Sequence, residues 1–569
     1  MDKHVNTKKT ATSSRLPSWL AALVLLILVA AHTQLTVRHL ALWFTGVRYG
    51  AVEAIEAAPD GSATIVDQFA VYECDELVGS SLWIGDRKFT VVQNGRTYIR
   101  LDVPATELSA VEREAGYLTG VTEKSFIVRA ALACPSIGFT LADCLLGLGV
   151  VFLAGYLLLT RQRPGQWLPP PGILLLLLVC LLSLFDWARV FDKSGNEADR
   201  GAGIKELIQY VEVWVVAYLF FVEVLRRVRM RRLAVATMLV MFGVVVVAGL
   251  VEYCLVLSGG TARGLLDIAA IDSLFGFRFN PSRQGVAGTE SGKNVLGTYI
   301  IIMLPLAFAM LPVIRPLWQR LVLAMLCLLS LICVLHLGLL ICAAAGCCAV
   351  AVASSRRFAV ALTLAAFLAV VGVTCLVSSH HGKVLLDSVA LHRSADPYGL
   401  QPMPMKGQNW QHPRWNPWQQ KYLEIQAALN AVGYSPVLGH GIGGYQRRIN
   451  VFYSNSPMWS TGVEKSPVNL MEKDAHGLFL VQAVETGVLG LACLAGLLLA
   501  FLGRALKVRA AAAEPYDRAL LIGVAAALVS ILLGSWLISF VVRGIQLVVI
   551  ALFAMPAAVH TEIADSSVE

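Results

Sequence analysis

The sequence predicts an all-α polytopic membrane protein with about twelve transmembrane helices. Of its 569 residues, 57% are hydrophobic and only 15% are charged, whereas a soluble protein carries roughly 25% charged residues. The mean hydropathy is +0.66, and at roughly 20 apolar residues per crossing the apolar runs suffice for about a dozen helices. Lys and Arg cluster in alternate connections, which indicates that both termini lie in the cytoplasm. These observations exclude an ordinary soluble enzyme.

Twelve apolar runs supply the predicted spans. They cover residues 17–37, 136–160, 172–189, 205–225, 233–257, 294–313, 318–336, 338–354, 358–379, 475–502, 518–540 and 544–560, with boundary errors of about 2 to 4 residues. The first run follows several lysines and resembles a signal peptide. Because it lacks a convincing cleavage site, we interpret it as a retained membrane helix.

The basic clusters lie in the loops that this topology assigns to the cytoplasm. The densest cluster runs from Arg226 to Arg232, and a second lies between Arg504 and Arg518. The net charge of +8 therefore reflects the excess of Lys and Arg in cytoplasmic loops rather than a binding face. We expect no nucleic-acid partner.

The topology divides the chain into five parts. Residues 1–37 form a cytoplasmic N-terminus and the first helix, residues 38–135 an external insert, residues 136–379 helices 2 to 9, residues 380–474 a long external loop, and residues 475–569 helices 10 to 12 with a short cytoplasmic tail. The two external segments differ in character.

The insert, residues 38–135, predicts a small β-rich domain. The stretch from Lys88 to Asp102 alternates apolar and polar residues on both sides of a predicted turn at Asn94 and Gly95, a pattern typical of a β-hairpin. No chemical motif lies in the insert, so we interpret it as a packing module or a docking site for partner proteins. Cys74 and Cys134, which lie outside the apolar runs, can pair if the compartment is oxidising.

The long loop, residues 380–474, is crowded with aromatic and basic side chains that suit glycans and phosphates. They are Tyr398, Trp410, Trp415, Trp418, Tyr422, Tyr445, Trp459, Arg393, Lys406, Arg414, Lys421, Arg447, Arg448, Lys465 and Lys473. The aromatic content argues against disorder, so a loop of this length is expected to be functional. Residues 419–431 predict a short helix at the membrane surface, with Tyr422, Ile425 and Leu429 on one side.

His476, at the external end of the tenth span, is the best candidate for a general base. A neutral imidazole that faces an aqueous cleft can accept a proton from a hydroxyl near neutral pH. The alternative interpretation is an interfacial histidine that only caps the helix. Glu485 lies nine residues further on, on the opposite helical face and about 13 Å deeper. We interpret it as a structural residue that hydrogen-bonds a neighbouring helix beside Gly487 and Gly490.

Three stretches together resemble the O-antigen ligase and polymerase superfamily. The stretch from His476 to Gly490 is similar to its His-x-x-x-Leu…Glu-x-Gly-x-x-Gly signature. Pro436 to Tyr445, with Gly439, Gly441 and Gly443, resembles its Pro-x-x-Gly-x-Gly-x-Gly-x-aromatic turn. Gly288 to Tyr299, with Asn294, resembles its Gly-Thr-x-x-x-x-Asn-x-x-Gly motif at the start of a membrane helix. The resemblance covers roughly residues 140–560 and leaves the insert unexplained.

The resemblance implies an inverting glycosyltransferase that needs no metal or other cofactor and lies in a bacterial inner membrane, with its active site facing the periplasm. Its donor would be a glycan on undecaprenyl diphosphate, and its acceptor another glycan, which makes it a polymerase, or lipid A core, which makes it a ligase. His476 would be the base. Residues 38–135 would then contact polysaccharide-assembly proteins.

The leaving diphosphate requires fixed cations, preferably arginines. The superfamily places an arginine in the helix before the glycine-rich turn, where this chain has Lys421, and a second arginine of the superfamily is missing near residues 334–338. The remaining candidates, in order of preference, are Arg543 between the last two spans, Arg414, and then Arg283 and Arg278 in the loop 259–293.

Other functions have weaker support in the sequence. Gly439 to Gly444 contains a formal Gly-x-Gly-x-x-Gly, but no buried strand precedes it, which argues against a dinucleotide site. No pair of histidines in the external loop has the spacing that places two imidazoles on one helical face, so we expect no metal. The alternatives are a transporter or flippase for the same lipid-linked glycan, which would show an internal repeat, and a protein O-oligosaccharyltransferase.

Overall fold

The structure is a computed structural model that describes much of the helical bundle and of the external insert. The described residues are 16–32, 48–51, 54–66, 74–75, 77–84, 87–95, 98–108, 116–119, 141–161, 166, 168–191, 197–257, 293–334, 337–354, 417–445, 452, 477–537 and 545–568. Within these ranges the chain is mostly helical, with one antiparallel sheet.

Most of the described helices follow the apolar runs of the sequence. They are α1 (Ser18–Ala31), α2 (Leu141–Thr160), α3 (Pro171–Phe191), α4 (Glu197–Val211), α5 (Tyr218–Leu225), α6 (Val228–Leu257), α7 (Lys293–Met310), α8 (Leu317–Cys333), α9 (Leu337–Ser354), α10 (Pro417–Tyr434), α11 (Leu478–Ala511), α12 (Pro515–Gly534) and α13 (Ile545–Val568). A π-helical segment, Glu212–Ala217, joins α4 to α5.

Eleven of the twelve predicted spans overlap these helices. The remaining one, the ninth span at residues 358–379, lies outside the described residues. Seven described helices are long and apolar enough to cross a membrane: Leu141–Thr160, Gly203–Leu225, Val228–Val251, Leu296–Val313, Leu478–Ala511, Pro515–Gly534 and Ile545–Ile563. The chain is therefore a polytopic membrane protein.

The centre of the bundle is formed by α7, α12 and α13. More than three quarters of the apolar window of each is buried, against about a quarter for α2, which lies at the periphery. Small residues bring the central helices together: a Cβ atom added to Gly346 of α9 would lie 2.7 Å from Pro305 of α7, and one added to Gly523 of α12 would lie 3.0 Å from the Cα of Leu306. Glycines at such crossings are typical of helix packing in membranes.

A buried ion-pair cluster joins three helices at one end of the bundle. Arg231, near the start of α6, is fully buried. Its Nε and Nη2 donate to the two carboxylate oxygens of Asp517 in α12, at 3.1 Å and 2.9 Å. Nη2 also donates to Glu562 in α13, at 2.8 Å. The start of α6, the start of α12 and the end of α13 therefore lie together.

Arg231→Ala is expected to destabilise the protein by about 3 to 5 kcal/mol, because it leaves the Asp517 carboxylate buried without its cation. The matched control is Arg232→Ala, which removes an ion pair with Glu514 whose side chains are about half exposed, and which is expected to cost about 0 to 1 kcal/mol. Thermal unfolding of the two variants in detergent compares them directly. Equal losses in the two variants would contradict the assignment of Arg231 as a buried anchor.

The insert folds as a seven-stranded antiparallel sheet, which confirms the prediction of a β-rich segment. Its strands are β1 (Arg48–Ala51), β2 (Ala54–Ala57), β3 (Ser62–Val66), β4 (Ser81–Ile84), β5 (Arg87–Asn94), β6 (Tyr98–Pro104) and β7 (Gly116–Thr119), in the order β1-β7-β4-β5-β6-β3-β2. Alternate residues of β5 and β6, such as Phe89, Val91, Ile99 and Leu101, form its core. Cys74 is exposed and Cys134 lies outside the described residues, so their pairing stays a prediction.

The predicted hairpin is present, but the turn was misplaced. Val91 pairs with Leu101 and Asn94 with Ile99, so β5 continues through Asn94. The Gly95 amide donates to the Tyr98 carbonyl at 3.0 Å, which places the reversal after Gly95. Asn94 stays in the strand because its buried side chain accepts a hydrogen bond from the Leu77 amide at 2.7 Å.

Candidate functional site

The structure describes part of the predicted site. His476, Arg543, Arg414, Arg283 and Arg278 lie outside the described residues. Lys421 lies in α10 and Asn294 in the first turn of α7, and the side chains of both are outside the described part of the chain. Gly439, Gly441, Glu485 and Gly487 are all described, and they form one continuous piece of structure.

The predicted helix before the glycine-rich turn is confirmed and is longer than expected, since α10 covers Pro417–Tyr434 rather than residues 419–431. Its alanines Ala427, Ala428 and Ala431 are buried in a cluster with Val484 of α11. Ile425 and Leu429, on the predicted apolar side, are 41% and 60% exposed. The helix therefore packs on α11 through its small residues and presents its larger apolar residues outward.

The glycine-rich turn follows α10 directly. Gly439, Gly441 and Gly443 have φ values of 66°, 93° and 74°, a region that other residues adopt only at a cost. The Ser435 hydroxyl donates to the Gly439 carbonyl at 2.7 Å. The buried His440 ring lies 2.8 Å, through Nε2, from the Ala431 carbonyl of α10. These contacts fold the turn back onto the end of the helix.

The turn docks on a break in α11. At Gly487 the backbone leaves the helical region, with φ 67° and ψ −170°, so polar groups on both sides of Gly487 need partners from elsewhere. The His440 amide donates to the Val484 carbonyl at 2.8 Å, and the Gly441 amide donates to the Glu485 carbonyl at 2.8 Å. In return the Val488 amide donates to the Pro436 carbonyl, also at 2.8 Å. The turn thus completes the hydrogen bonding of the interrupted helix.

Two glycines allow this close approach. A Cβ atom added to Gly439 would lie 2.5 Å from the Val484 carbonyl oxygen, and one added to Gly487 would overlap the backbone of Val437. The two positions belong to different stretches of the resemblance, the glycine-rich turn and the His-to-Gly490 stretch. The structure brings these stretches into direct backbone contact.

Glu485 is hydrogen-bonded to the end of the glycine-rich turn. Its buried carboxylate accepts a hydrogen bond from the Tyr445 amide at 3.1 Å and another from the backbone of Gly443. The donor Tyr445 ends the glycine-rich turn and has helical backbone, so this bond does not contradict a hydrogen bond from Glu485 to a neighbouring helix, which stays a prediction. The bond fastens the end of the turn to α11.

Gly490 lies beside a hydrogen bond within α11. A Cβ atom there would collide with the side chain of Thr486 and lie 3.2 Å from Nε2 of Gln482, both in the same helix. Gly490 leaves room for the hydrogen bond from Gln482 Nε2 to the Thr486 hydroxyl, at 2.7 Å.

Sequence reasoning missed two buried hydrogen bonds beneath the turn. The Tyr210 hydroxyl of α4 donates to Gln482 Oε1 at 3.0 Å, and the Ile442 amide of the turn donates to the Ser183 hydroxyl of α3 at 3.3 Å. Both links connect the turn and α11 to earlier helices. The residue that could have indicated these bonds in the sequence is Gln482, a polar residue three positions before Glu485 in an apolar helix.

The start of α11 contacts the end of α12. The Phe479 amide donates to the Ser535 carbonyl at 3.1 Å, and the rings of Phe479 and Trp536 meet edge to face at 5.3 Å. Gly477, which directly follows His476 in the sequence, has an extended backbone, and a Cβ atom there would lie 2.7 Å from the Trp536 carbonyl oxygen. The beginning of the helix is thus fixed to the far end of its neighbour.

Comparison with known proteins adds no relative, since no protein-family model matches the chain and no curated protein matches it. The resemblance to the O-antigen ligase and polymerase superfamily therefore depends on the three stretches of sequence and on how they are arranged.

The described residues contain no group of three or more His, Cys, Asp or Glu side chains that could hold a metal ion. The described residues provide a rigid platform in which α10, the glycine-rich turn and α11 are joined by backbone hydrogen bonds. Gly477, at the start of α11, directly follows His476 in the sequence.

Proposed function

We propose that this protein is an inverting, metal-independent glycosyltransferase of the O-antigen ligase and polymerase type. It moves a glycan from undecaprenyl diphosphate to an acceptor hydroxyl at the periplasmic face of a bacterial inner membrane. One observation carries the proposal: the two stretches that resemble the superfamily's turn and His-containing motifs are separated in sequence, yet the amides of His440 and Gly441 donate directly to the carbonyls of Val484 and Glu485. Motifs that serve one site are expected to meet in space.

The proposed topology has twelve spans with both termini in the cytoplasm. It assigns the start of α6, the start of α12 and the end of α13 to the same side, and the cluster of Arg231, Asp517 and Glu562 joins these three ends. It also assigns the ends of α9 and α11 to that side, and Arg509 donates to the Ala353 carbonyl at 2.6 Å. These contacts support the topology, which puts His476 on the periplasmic side.

In the proposed reaction the acceptor hydroxyl attacks the anomeric carbon of the donor sugar. The bond from that carbon to the diphosphate oxygen breaks, and the configuration at the carbon inverts. His476 takes the proton of the hydroxyl as the new glycosidic bond forms. Undecaprenyl diphosphate leaves with its charge held by fixed cations, for which Arg543 is the first candidate, followed by Arg414, Lys421 and the arginines of the 259–293 loop.

The platform of α10, the glycine-rich turn and α11 would hold the reacting groups in position. A displacement of about 1 Å at a reacting group can lower a rate 100-fold, so the start of the helix that His476 precedes needs firm support. The support comes from two sides: Ser535 binds the Phe479 amide, and the glycine-rich turn holds the break at Gly487.

Arg543→Lys is expected to lower the transfer rate strongly, by about 10- to 100-fold, because a point charge cannot replace the two-pronged contact of a guanidinium with a phosphate. Arg315→Lys, on the opposite side in the proposed topology, is the matched control and is expected to be silent. Initial rates of product formation in proteoliposomes measure both. A normal rate for Arg543→Lys would remove this residue from the diphosphate site.

The identity of the acceptor distinguishes a polymerase, a ligase and a protein O-oligosaccharyltransferase. The experiment supplies purified protein in proteoliposomes with one defined diphosphate-linked donor and, in turn, a second lipid-linked repeat unit, lipid A core, or a peptide that contains Ser and Thr. Product with one acceptor supports the proposal and names the acceptor class. The absence of product with all three would contradict glycosyl transfer.

A further inference from the structure

The glycine-rich turn lies deeper along α11 than a surface loop should. Its hydrogen bonds fall on Val484, Glu485 and Val488. Val488 is 16 residues before Arg504, the first basic residue at the far end of the helix, a separation of about 24 Å at the rise of an α-helix. The hydrocarbon core of a bilayer is about 30 Å thick. If Arg504 marks one boundary of that core, Val488 lies about 6 Å inside the other.

The contact between α11 and α12 gives a second measure of depth. Ser535, which binds the Phe479 amide, is 17 residues from Arg518 at the opposite end of α12, or about 26 Å. Ser535 and Phe479 therefore lie just inside the boundary of the hydrocarbon core, with the half-exposed Trp536 at the level where tryptophans are enriched. Val488 follows Phe479 by nine residues along α11, so both measures place the turn inside the hydrocarbon core.

The flank of the turn is apolar and exposed. Val437 in the turn is 58% exposed and Leu429 on α10 is 60% exposed. Beside them Val488 and Leu489 of α11 are 54% and 47% exposed, and they continue along the outward face of a helix that crosses the membrane. An aqueous surface would not favour this patch, whereas acyl chains would.

Much of the backbone of the turn is hydrogen-bonded to protein, as a position in hydrocarbon requires. Irregular backbone is tolerated at membrane depth only where protein satisfies its polar groups. The amides of Gly439, His440, Gly441 and Gly444 donate to backbone carbonyls, and the Pro436 carbonyl accepts from Val488. The turn obtains these partners from α11 and from within itself.

We propose that α10 and the turn Ser435–Tyr445 form a re-entrant element that dips into the leaflet nearer the start of α11, with Leu429 and Val437 in contact with lipid acyl chains. This inference depends only on α11 crossing a membrane and not on the proposed reaction. The segment between the ninth and tenth predicted spans is then partly a membrane element rather than a wholly external loop.

The test places a photoreactive benzophenone amino acid at Val437 in the full-length chain, reconstituted in phosphatidylcholine vesicles. Leu499, 57% exposed on the same membrane helix, is the positive control, and Val92, 50% exposed on β5, is the negative control. After irradiation, lipid adducts are counted by mass spectrometry. We expect adducts at Val437 to be comparable to those at Leu499 and at least about tenfold above those at Val92.

Two results would overturn the proposal. A yield at Val437 as low as that at Val92 would place the turn in water, and cross-links from Val437 only to the protein itself would mean that another segment of this chain covers it. If the Val437 probe prevents folding, the same probe at Leu429 answers the question, because it lies on the same flank at the surface of α10 and is subject to the same two outcomes.

Discussion

Replacing His476 with alanine is expected to abolish measurable glycan transfer. A positioned general base contributes about 10²- to 10⁴-fold to a rate, and a methyl group can neither accept the proton of the acceptor hydroxyl nor hold it. The folded protein should be produced in normal amount, because the contacts that fix the start of α11 begin at Gly477 and Phe479. The measurement is the initial rate of product formation from a defined diphosphate-linked donor in proteoliposomes.

The matched control is His560→Ala, an exposed histidine near the end of α13, which is expected to leave the rate unchanged. Glu485→Gln is a second control, because the amide oxygen can still accept from the Tyr445 backbone, so transfer should be largely retained. Normal turnover by His476→Ala would mean that the base lies elsewhere in the chain.

Gly487→Ala is expected to prevent the platform from assembling. The backbone at this position, φ 67° and ψ −170°, belongs to a region that is essentially restricted to glycine and costs other residues about 1 to 3 kcal/mol. The added methyl group would also overlap the Val437 backbone, which cannot move without losing the bond from the Val488 amide to the Pro436 carbonyl. We expect a loss of stability well above about 2 kcal/mol, together with loss of transfer.

The matched control is Gly496→Ala, nine residues further along α11, where a Cβ atom would have no neighbour within 4 Å. There alanine should be neutral or slightly stabilising, by up to about 1 kcal/mol, because it favours the helix. Size-exclusion profiles and thermal unfolding in detergent compare the two variants. Equal stability of both would contradict the docking of the turn on the break in α11.

The membrane helices were predictable because each is encoded locally. A run of apolar residues near 20 in length needs no knowledge of its neighbours, and eleven predicted spans overlap described helices. The β-hairpin was predictable for the same reason, whereas the position of its turn depended on the distant Leu77 amide that binds the Asn94 side chain.

The site was less predictable because its contacts join distant parts of the chain. The positive φ values of Gly439 and Gly441 agree with a glycine-rich turn, but nothing local indicates that this turn completes the hydrogen bonds of α11 around Gly487. Likewise Arg231 could be read only as one of a basic cluster, since its partners Asp517 and Glu562 lie 286 and 331 residues away.

The most direct test of the proposed function measures transfer and translocation of the same glycan in one preparation. Proteoliposomes that contain the wild-type chain, with a radiolabelled diphosphate-linked donor and its acceptor, are assayed for glycan joined to the acceptor and for donor that has crossed the bilayer. We predict a product of inverted configuration, released undecaprenyl diphosphate and no translocation above that of protein-free vesicles. Donor that crosses the bilayer without any product would contradict the account and identify a flippase.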